Sequence, residues 1–346
     1  MSQASPSQGP SAQNELANAE LAALLDYLDT VAIALPAPVT EPGDLQPLAD
    51  PVPVQTLTAE LAALPDDQLL HTFRQWKVYF ASQAQAPAIL HEITRLRELT
   101  FREMQEGSGL AVDTDEFDAT YDHLFVWDEE AQTIVGGYRL GHADVLRAAG
   151  GPDAVYLSAM FDFDDAFFSE PTLEIGRSFV VPEFQRKPYS LHLLWCGIGN
   201  YMCRYPHYRR IYGVVSISRL YDVRTSAAIR DALVQPLETV AARAAFTPDL
   251  GDPWREFLKA HTTMSLREVS SIVKGLEGEG KDVPVLIRHY HKLGARFVSA
   301  AVDASFNNTP GLLLCLDVPR VPYKYLKQYF GEEGAAAYLA FSADEA

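Results

Sequence analysis

At 346 residues with 48% hydrophobic content, the chain has enough apolar mass for a sizeable core and one or two domains. No apolar run approaches the ~20 residues of a membrane-spanning helix, and the start, MSQASPSQGPSAQ, lacks the basic and apolar regions of a secretory signal. A soluble or peripheral protein is expected. The three cysteines, Cys196, Cys203 and Cys315, are odd in number and off zinc spacing, so they read as buried thiols of a reducing, cytoplasmic compartment. The formal charge of −18 is uneven: residues 1–73 hold ten acids and no Lys or Arg, whereas 177–230 hold nine bases against Glu183 and Asp222. That basic segment could accept a phosphate or an acidic protein surface, although scattered surface arginines are the plainer reading. No nucleic-acid partner is expected.

Residues 1–14 and 36–56, rich in Pro, Ser, Gln and Ala, read as linker around a short helix over 15–34. The expected division is therefore an acidic, largely disordered leader, 1–56, and a globular domain, 57–346. In the latter, a helix (TAELAALPDDQLL) leads to a strand (WKVYFAS) and a long helix over 86–105 carrying Ile89, Leu90, Ile93, Leu96, Leu99 and Phe101. A Gly- and Asp-rich loop, 106–121, precedes a hairpin of HLFVWD and TIVGGYRLG. After an excursion over 143–171 comes the strand TLEIGRSFVV, then PEFQRKPY and a helix from Ser190 with Leu191, Leu194, Trp195, Ile198 and Met202 in one stripe. That helix must stop before Pro206. RRIYGVVSIS reads as a buried strand, DVRTSAAIRDALV as a helix capped by Asp222, and 235–282 as mostly helical. VPVLIRHYHKLG, RFVSAAVD, GLLLCLDV and YKYLKQYFGEEGAAAYLAF read as helix, strand, strand and helix. The order is mixed α/β around one central sheet, with too many hairpins for a doubly wound parallel one.

Three groups of residues carry potential chemistry. Asp115 and Asp118, with Glu116 and Asp122 beside them, suit an ammonium ligand, a metal, or pairing with Arg139 and Arg177; a solvated acidic turn is the alternative. A metal is the weakest of these, since the loop lacks calcium-loop spacing. Glu174 and Arg177 sit in an otherwise apolar strand, three apart, and would face opposite ways unless a bulge at Gly176 intervenes. A carboxylate there is costly to bury unpartnered, so it is either functional or half of a structural ion pair. Finally, Gln185–Arg186–Lys187–Pro188–Tyr189–Ser190 precedes a helix N-terminus, where backbone amides can hold a phosphate.

Together these segments resemble the GNAT superfamily, and within it the acyl-carrier-protein-dependent ornithine-lipid (haemolysin-like) N-acyltransferases, distant relatives of the acyl-homoserine-lactone synthases. The resemblance runs from Leu57 to Phe341 and rests on EITRLRELTFREMQEGSG, DTDEFDATYDHLFVWD, IVGGYRLG, LEIGRSFVVPEFQRKP, LLWCGIGNYM and VVSIS. It implies a GNAT-like central mixed, mostly antiparallel sheet flanked by helices. The implied reaction is transfer of a long-chain, optionally 3-hydroxylated, acyl group from acyl-carrier protein to the α-amine of an amino acid. Ornithine comes first; glycine, serine or another neutral amino acid is the alternative. It marks Arg97, Phe101, Asp115, Asp118, Arg139, Glu174 and Arg177 as site residues. In this reading Glu174 is the base, Asp115 and Asp118 bind the amine, and Arg139 or Arg177 holds a carboxylate. Ser216 and Ser218 join the substrate side. Val180, with the amides after it, Gln185, Arg186, Lys187, Ser190 and Arg219 serve the acyl donor, a 4′-phosphopantetheine thioester with acyl-CoA as the other option. No tightly bound cofactor or metal is implied; peripheral contact with the inner membrane face is compatible. The family's phosphate turn carries glycine where this chain has Pro188, which has no N–H to offer and favours a carrier-borne donor over acetyl-CoA. A small-molecule acetyltransferase and a non-catalytic acyl-carrier or lipid-binding module are the other readings.

Overall fold

The computed structural model describes residues 11–40, 43–262, 264–278 and 280–342. Eight strands form one sheet: β1 (Leu69–Phe73), β2 (Trp76–Ala81), β3 (Asp122–Asp128), β4 (Thr133–His142), β6 (Thr172–Val180), β7 (Arg210–Ser216), β9 (Arg296–Asp303) and β10 (Thr309–Asp317). Their order is β1-β2-β3-β4-β6-β7-β10-β9, and β5 (Phe161–Phe163) pairs separately with β8 (Val240–Ala242). Every neighbouring pair is antiparallel except β6 and β7, which run parallel and share only Thr172–Arg210, Leu173–Ile211 and Glu174–Tyr212. Past Glu174 the two strands part. Gly213 keeps the strands close at the point of parting itself, since a Cβ there would meet the Ile175 carbonyl at 2.3 Å.

The mixed, mostly antiparallel sheet flanked by helices is the expected fold, and the expected hairpin is β3–β4. Because strand side chains alternate, β4 sends Tyr138 to one face and Arg139 to the other. The Tyr138 face receives the helix Ser190–Arg204, where Gly197 lets the backbone lie on Val78 and Leu124; a Cβ there would meet them at 2.6 and 3.0 Å. The Arg139 face receives the long helix Pro87–Glu103.

Some expectations need correction. The helix expected through DDQLL ends as Val54–Ala63, because Leu64 precedes Pro65 and is extended; 69–73 then forms β1. The C-terminal helix is two, Tyr323–Phe330 and Glu332–Ala340, broken at Gly331 with φ 75°. The stretch 36–56, compositionally a linker, is laid on the body: Gln46 N–H donates to Gly109 O at 2.8 Å, Ala49 N–H to Ala111 O at 3.0 Å and Val52 N–H to Glu92 at 3.0 Å.

The chain divides into two compact units. The larger comprises 36–220, 234–246 and 285–346 and holds the sheet. The smaller comprises residues up to 35, 221–233 and 247–284. In it the helix Ser11–Leu28 buries Leu24 and Leu28 against Ala227, Ala228, Leu250, Trp254 and Ile272. Arg224 ties this unit together, donating to Leu28 O and Asp29 at 3.0 Å and to Asp222 at 2.8 Å. No helix among the described residues is long and apolar enough to cross a membrane.

Candidate active site

The Arg139 face of the sheet carries three arginines and three aspartates. Arg97, 1% exposed on the long helix, donates to both oxygens of Asp118 at 2.8 and 3.0 Å and to the Asp113 carbonyl, and its Nε lies 2.9 Å from the Asp113 carboxylate. Arg139 donates to Asp118 at 3.1 Å and to Asp115; Arg177 donates to Asp115 at 3.2 Å. The acids sit on a short helical turn, Glu116–Ala119, where Asp115 and Asp118 cap each other's backbone amides: Phe117 N–H donates to Asp115 and Asp115 N–H to Asp118, both at 3.0 Å. Burial alone would raise both carboxyls, but Arg139 and Arg177 hold Asp115 below the usual carboxylate range, and Arg97 and Arg139 hold Asp118 well below it. These two aspartates are thus committed to arginines, and amine binding is not the role their geometry supports. The sequence reading passed over Asp113, two residues from Asp115 in the same motif.

The expected bulge in β6 is present: Gly137 pairs with Phe179 and Arg139 with Gly176, so Arg177 and Ser178 together oppose Tyr138. Arg177 takes the left-handed conformation, φ 48°. The bulge brings Arg177 and Glu174 to one cleft, partly open to solvent, where β6 and β7 diverge. Phe101, Tyr156, Ser178, Ser216, Asp303 and Phe306 share its walls. Beyond Glu174, β6 has no ladder partner on the β7 side, leaving backbone groups of 175–178 facing the gap.

Glu174 is 2% exposed and accepts from Tyr121 OH at 2.8 Å, Tyr212 OH at 2.9 Å and Leu157 N–H at 3.1 Å. Burial raises its proton affinity; the two phenols, Arg139 and the Leu157 amide pull it part of the way back. Tyr121, Tyr156 and Tyr212 were not singled out from sequence, since nothing in one chain separates them from core tyrosines. Asp303 was missed likewise: it accepts from Tyr156 OH and from Ser305 N–H at 2.9 Å and Oγ at 2.6 Å.

The remaining predicted residues divide. Phe101 and Ser216 line the cleft. Ser218 does not; its hydroxyl donates to Met104 O at 2.8 Å. Val180 pairs with Gly136, and the following amide, Val181 N–H, is spent on Val135 O at 3.0 Å, so the amides expected to polarise the thioester lie elsewhere. Gln185, Arg186, Lys187, Pro188 and Tyr189 are exposed; Gln185 donates to Val180 O at 3.1 Å. Ser190 is buried and donates to Phe184 O at 2.9 Å instead of capping its helix, whose first turn starts from Tyr189 at φ 82°.

The basic segment is not one face. The Arg177 side chain is 7% exposed and faces Asp113 and Asp115; Arg204, Arg210, Arg224 and Arg230 meet acids, Arg209 donates to Tyr338 O, and Arg219 donates to the carbonyls of Pro36, Asn307 and Asn308. Arg186 and Lys187 remain exposed, with exposed Arg74 5.8 Å above the Tyr189 ring beside them.

A parting pair of parallel strands with a bulge at the gap, over an acid and an arginine, defines an acyltransferase of the GNAT type, and the Acetyltransferase (GNAT) domain model matches residues 96–195. The chain is 30% identical over 305 residues to glycine N(alpha)-acyltransferase of Bacteroides thetaiotaomicron, covering 79% of this chain and 87% of that one. It is 28% identical over 236 residues to L-ornithine N(alpha)-acyltransferase of Rhizobium meliloti, covering 64% and 72%. Among solved structures, FeeM, an N-acyl amino acid synthase from uncultured soil microbes, matches with TM-score 0.37 at 11% identity, over 70% of this chain and 91% of that one. The chain belongs to the N(alpha)-acyltransferase family and is an N-acyltransferase.

Proposed function

We propose that the enzyme transfers a long-chain acyl group from the thioester of an acyl-carrier protein to the α-amine of glycine. The observation that carries this reading is the cleft's inventory of charge: one arginine, Arg177, and two acids already engaged, Glu174 by two tyrosines and Asp303 by Tyr156 and Ser305. Arg177 is the cation lining the cleft and, although it donates to Asp115 at 3.2 Å, it suits the carboxylate of an amino acid. A side-chain ammonium such as ornithine's finds no uncommitted acid, so glycine displaces the ornithine that the sequence points to first. Glu174, directly or through a water, takes the proton the ammonium must lose before attack. Backbone amides of the 175–178 edge, in place of those after Val180, would polarise the thioester carbonyl.

Two further features support the donor. An apolar cluster of Trp195, Ile198, Met202, Ile211, Leu326 and Phe330 offers the chemistry an alkyl chain needs, although its walls are nearly closed on one another and would have to part to admit one. Tyr138 sits within reach of Ser178, Trp195 and Tyr290, and Trp195 meets the His289 ring; among these groups the Tyr138 hydroxyl, Trp195 Nε1 and His289 Nε2 are buried with no well-formed hydrogen bond. Unsatisfied donors are costly, and a hydroxyl near the carbonyl end of the chain would satisfy them, which favours a 3-hydroxyacyl donor. Carrier docking falls to Arg74, Arg186 and Lys187.

The test is mass spectrometry of products from purified enzyme given 3-hydroxyacyl or unsubstituted acyl-carrier protein, or acyl-CoA, with glycine, serine or ornithine. An N-(3-hydroxyacyl)glycine formed fastest from the carrier protein is expected. Preference for ornithine would overturn the amine assignment, and preference for acyl-CoA the donor.

A further inference from the structure

A second buried carboxyl stands behind the end of β7. Glu106 follows the long helix, is 5% exposed, and is aimed by a tightly fastened turn. Gln105 takes φ 57°, Glu106 N–H donates to Phe101 O at 2.9 Å, and Ser218 and Asn307 side chains hold the Met104 and Gln105 carbonyls at 2.8 and 3.0 Å. The Glu106 carboxyl lies within reach of the Ser216 hydroxyl, and Ser216 and Glu174 line the same cleft.

The charged groups of the surrounding elements are engaged elsewhere. On the long helix Arg102 donates to Glu98 at 2.7 Å. On the loop after β7 Arg219 donates to backbone carbonyls; at the end of β9 Asp303 is held by Tyr156 and Ser305; on β6 Arg177 faces Asp113 and Asp115. Burial therefore pushes Glu106 up to about 8, with the Ser216 hydroxyl drawing it only partly back, so at neutral pH it is largely the carboxylic acid.

We propose that Ser216, backed by Glu106, is the proton donor to the departing thiol, an assignment that rests on the acyl-transfer reading above. When the tetrahedral intermediate collapses, the C–S bond breaks and its electron pair goes to sulfur. Ser216 O–H passes its proton to sulfur while Glu106 O–H passes its own to Ser216 Oγ. The substrate ammonium loses two protons in becoming an amide N–H. One leaves through Glu174 to solvent; the other, released from the intermediate's nitrogen to water, restores Glu106. The balance is one thiol formed and one proton released. Ser216 touches the leaving group, and Glu106 acts through it.

The test compares alkyl thioesters, whose thiolate is a poor leaving group, with aryl thioesters, whose thiolate departs unprotonated. Glu106→Gln and Ser216→Ala should each slow N-acylation from the alkyl donor on the order of 100-fold, while the aryl donor stays within about threefold of wild type. Through Glu106 the wild-type melting temperature should fall as pH rises from 5 to 8, because the folded state holds a proton the unfolded chain has lost; Glu106→Gln should lessen that slope, leaving the share that Glu174 contributes. Equal losses on both donors, or full activity on the alkyl donor, would overturn the proposal. Should Glu106→Gln not fold, Ser216→Ala decides it by the same comparison. Failure of the wild type to acylate any amine from either donor would instead strike the parent reading, and this assignment with it.

Discussion

In the acid–arginine cluster, three guanidinium groups and three carboxylates cancel in a region nearly closed to water. Removing one charge strands another, and a broken buried pair costs about 3–5 kcal/mol. Asp118→Asn, which leaves Arg97 short of its main counter-charge, should lose that much in urea unfolding. Because the folded-state proton affinities of Asp115 and Asp118 are depressed from their ordinary value of 3.8, their stabilisation is fully present above that pH and is lost as pH falls below it. Acid titration of unfolding should show this, and Asp118→Asn should flatten it. Glu174→Gln belongs to a different kind of residue. The amide oxygen can still accept from Tyr121 and Tyr212, and only the Leu157 N–H loses its acceptor, at about 1–3 kcal/mol, so the fold should survive while turnover drops about 10²–10⁴-fold. Near-normal turnover would remove Glu174 from the mechanism.

Elements were more legible than their uses. The β3–β4 hairpin, the long helix and the Ser190 helix follow from period and turn chemistry, and Gly176 next to a stranded Glu–x–x–Arg pointed to the bulge. β1 was hidden because LPDDQLL continues an apolar helical stripe, and only the effect of Pro65 on Leu64 breaks it. Among site residues, charges in apolar strands announced themselves: Arg139, Glu174 and Arg177. Tyr121, Tyr156, Tyr212 and Asp303 did not, since their meeting at one cleft is made by strand order, which a single chain does not spell out. The acidic leader's helix was legible over 15–34, where the structure has Ser11–Leu28, and its Leu and Ala spacing suits docking, but the residues it packs on were not. Leu28, fully buried in the smaller unit, should show the difference: Leu28→Ala should destabilise that unit by about 2–5 kcal/mol, read by limited proteolysis within 247–284.

For the molecule as a whole, net charge is a poor guide to partners. Of nine bases between 177 and 230, most are spent inside the fold, and only Arg186 and Lys187 stand exposed outside any ion pair among the described residues. Charge reversal of both should raise the carrier-protein KM severalfold with little change in kcat and weaken its salt dependence. An unchanged KM would sink the docking assignment. Three register pairs join β6 to β7, whereas β4–β6 and β7–β10 are paired along most of their lengths. The sheet therefore has a mechanical seam, with β1 to β6 on one side and β7, β10 and β9 on the other. Those amide hydrogens of Ile175–Ser178 that face the gap and not β4 should exchange with solvent well before those of β10 and slow when a thioester fills the gap: the acyl donor would serve as the missing stitch of the sheet.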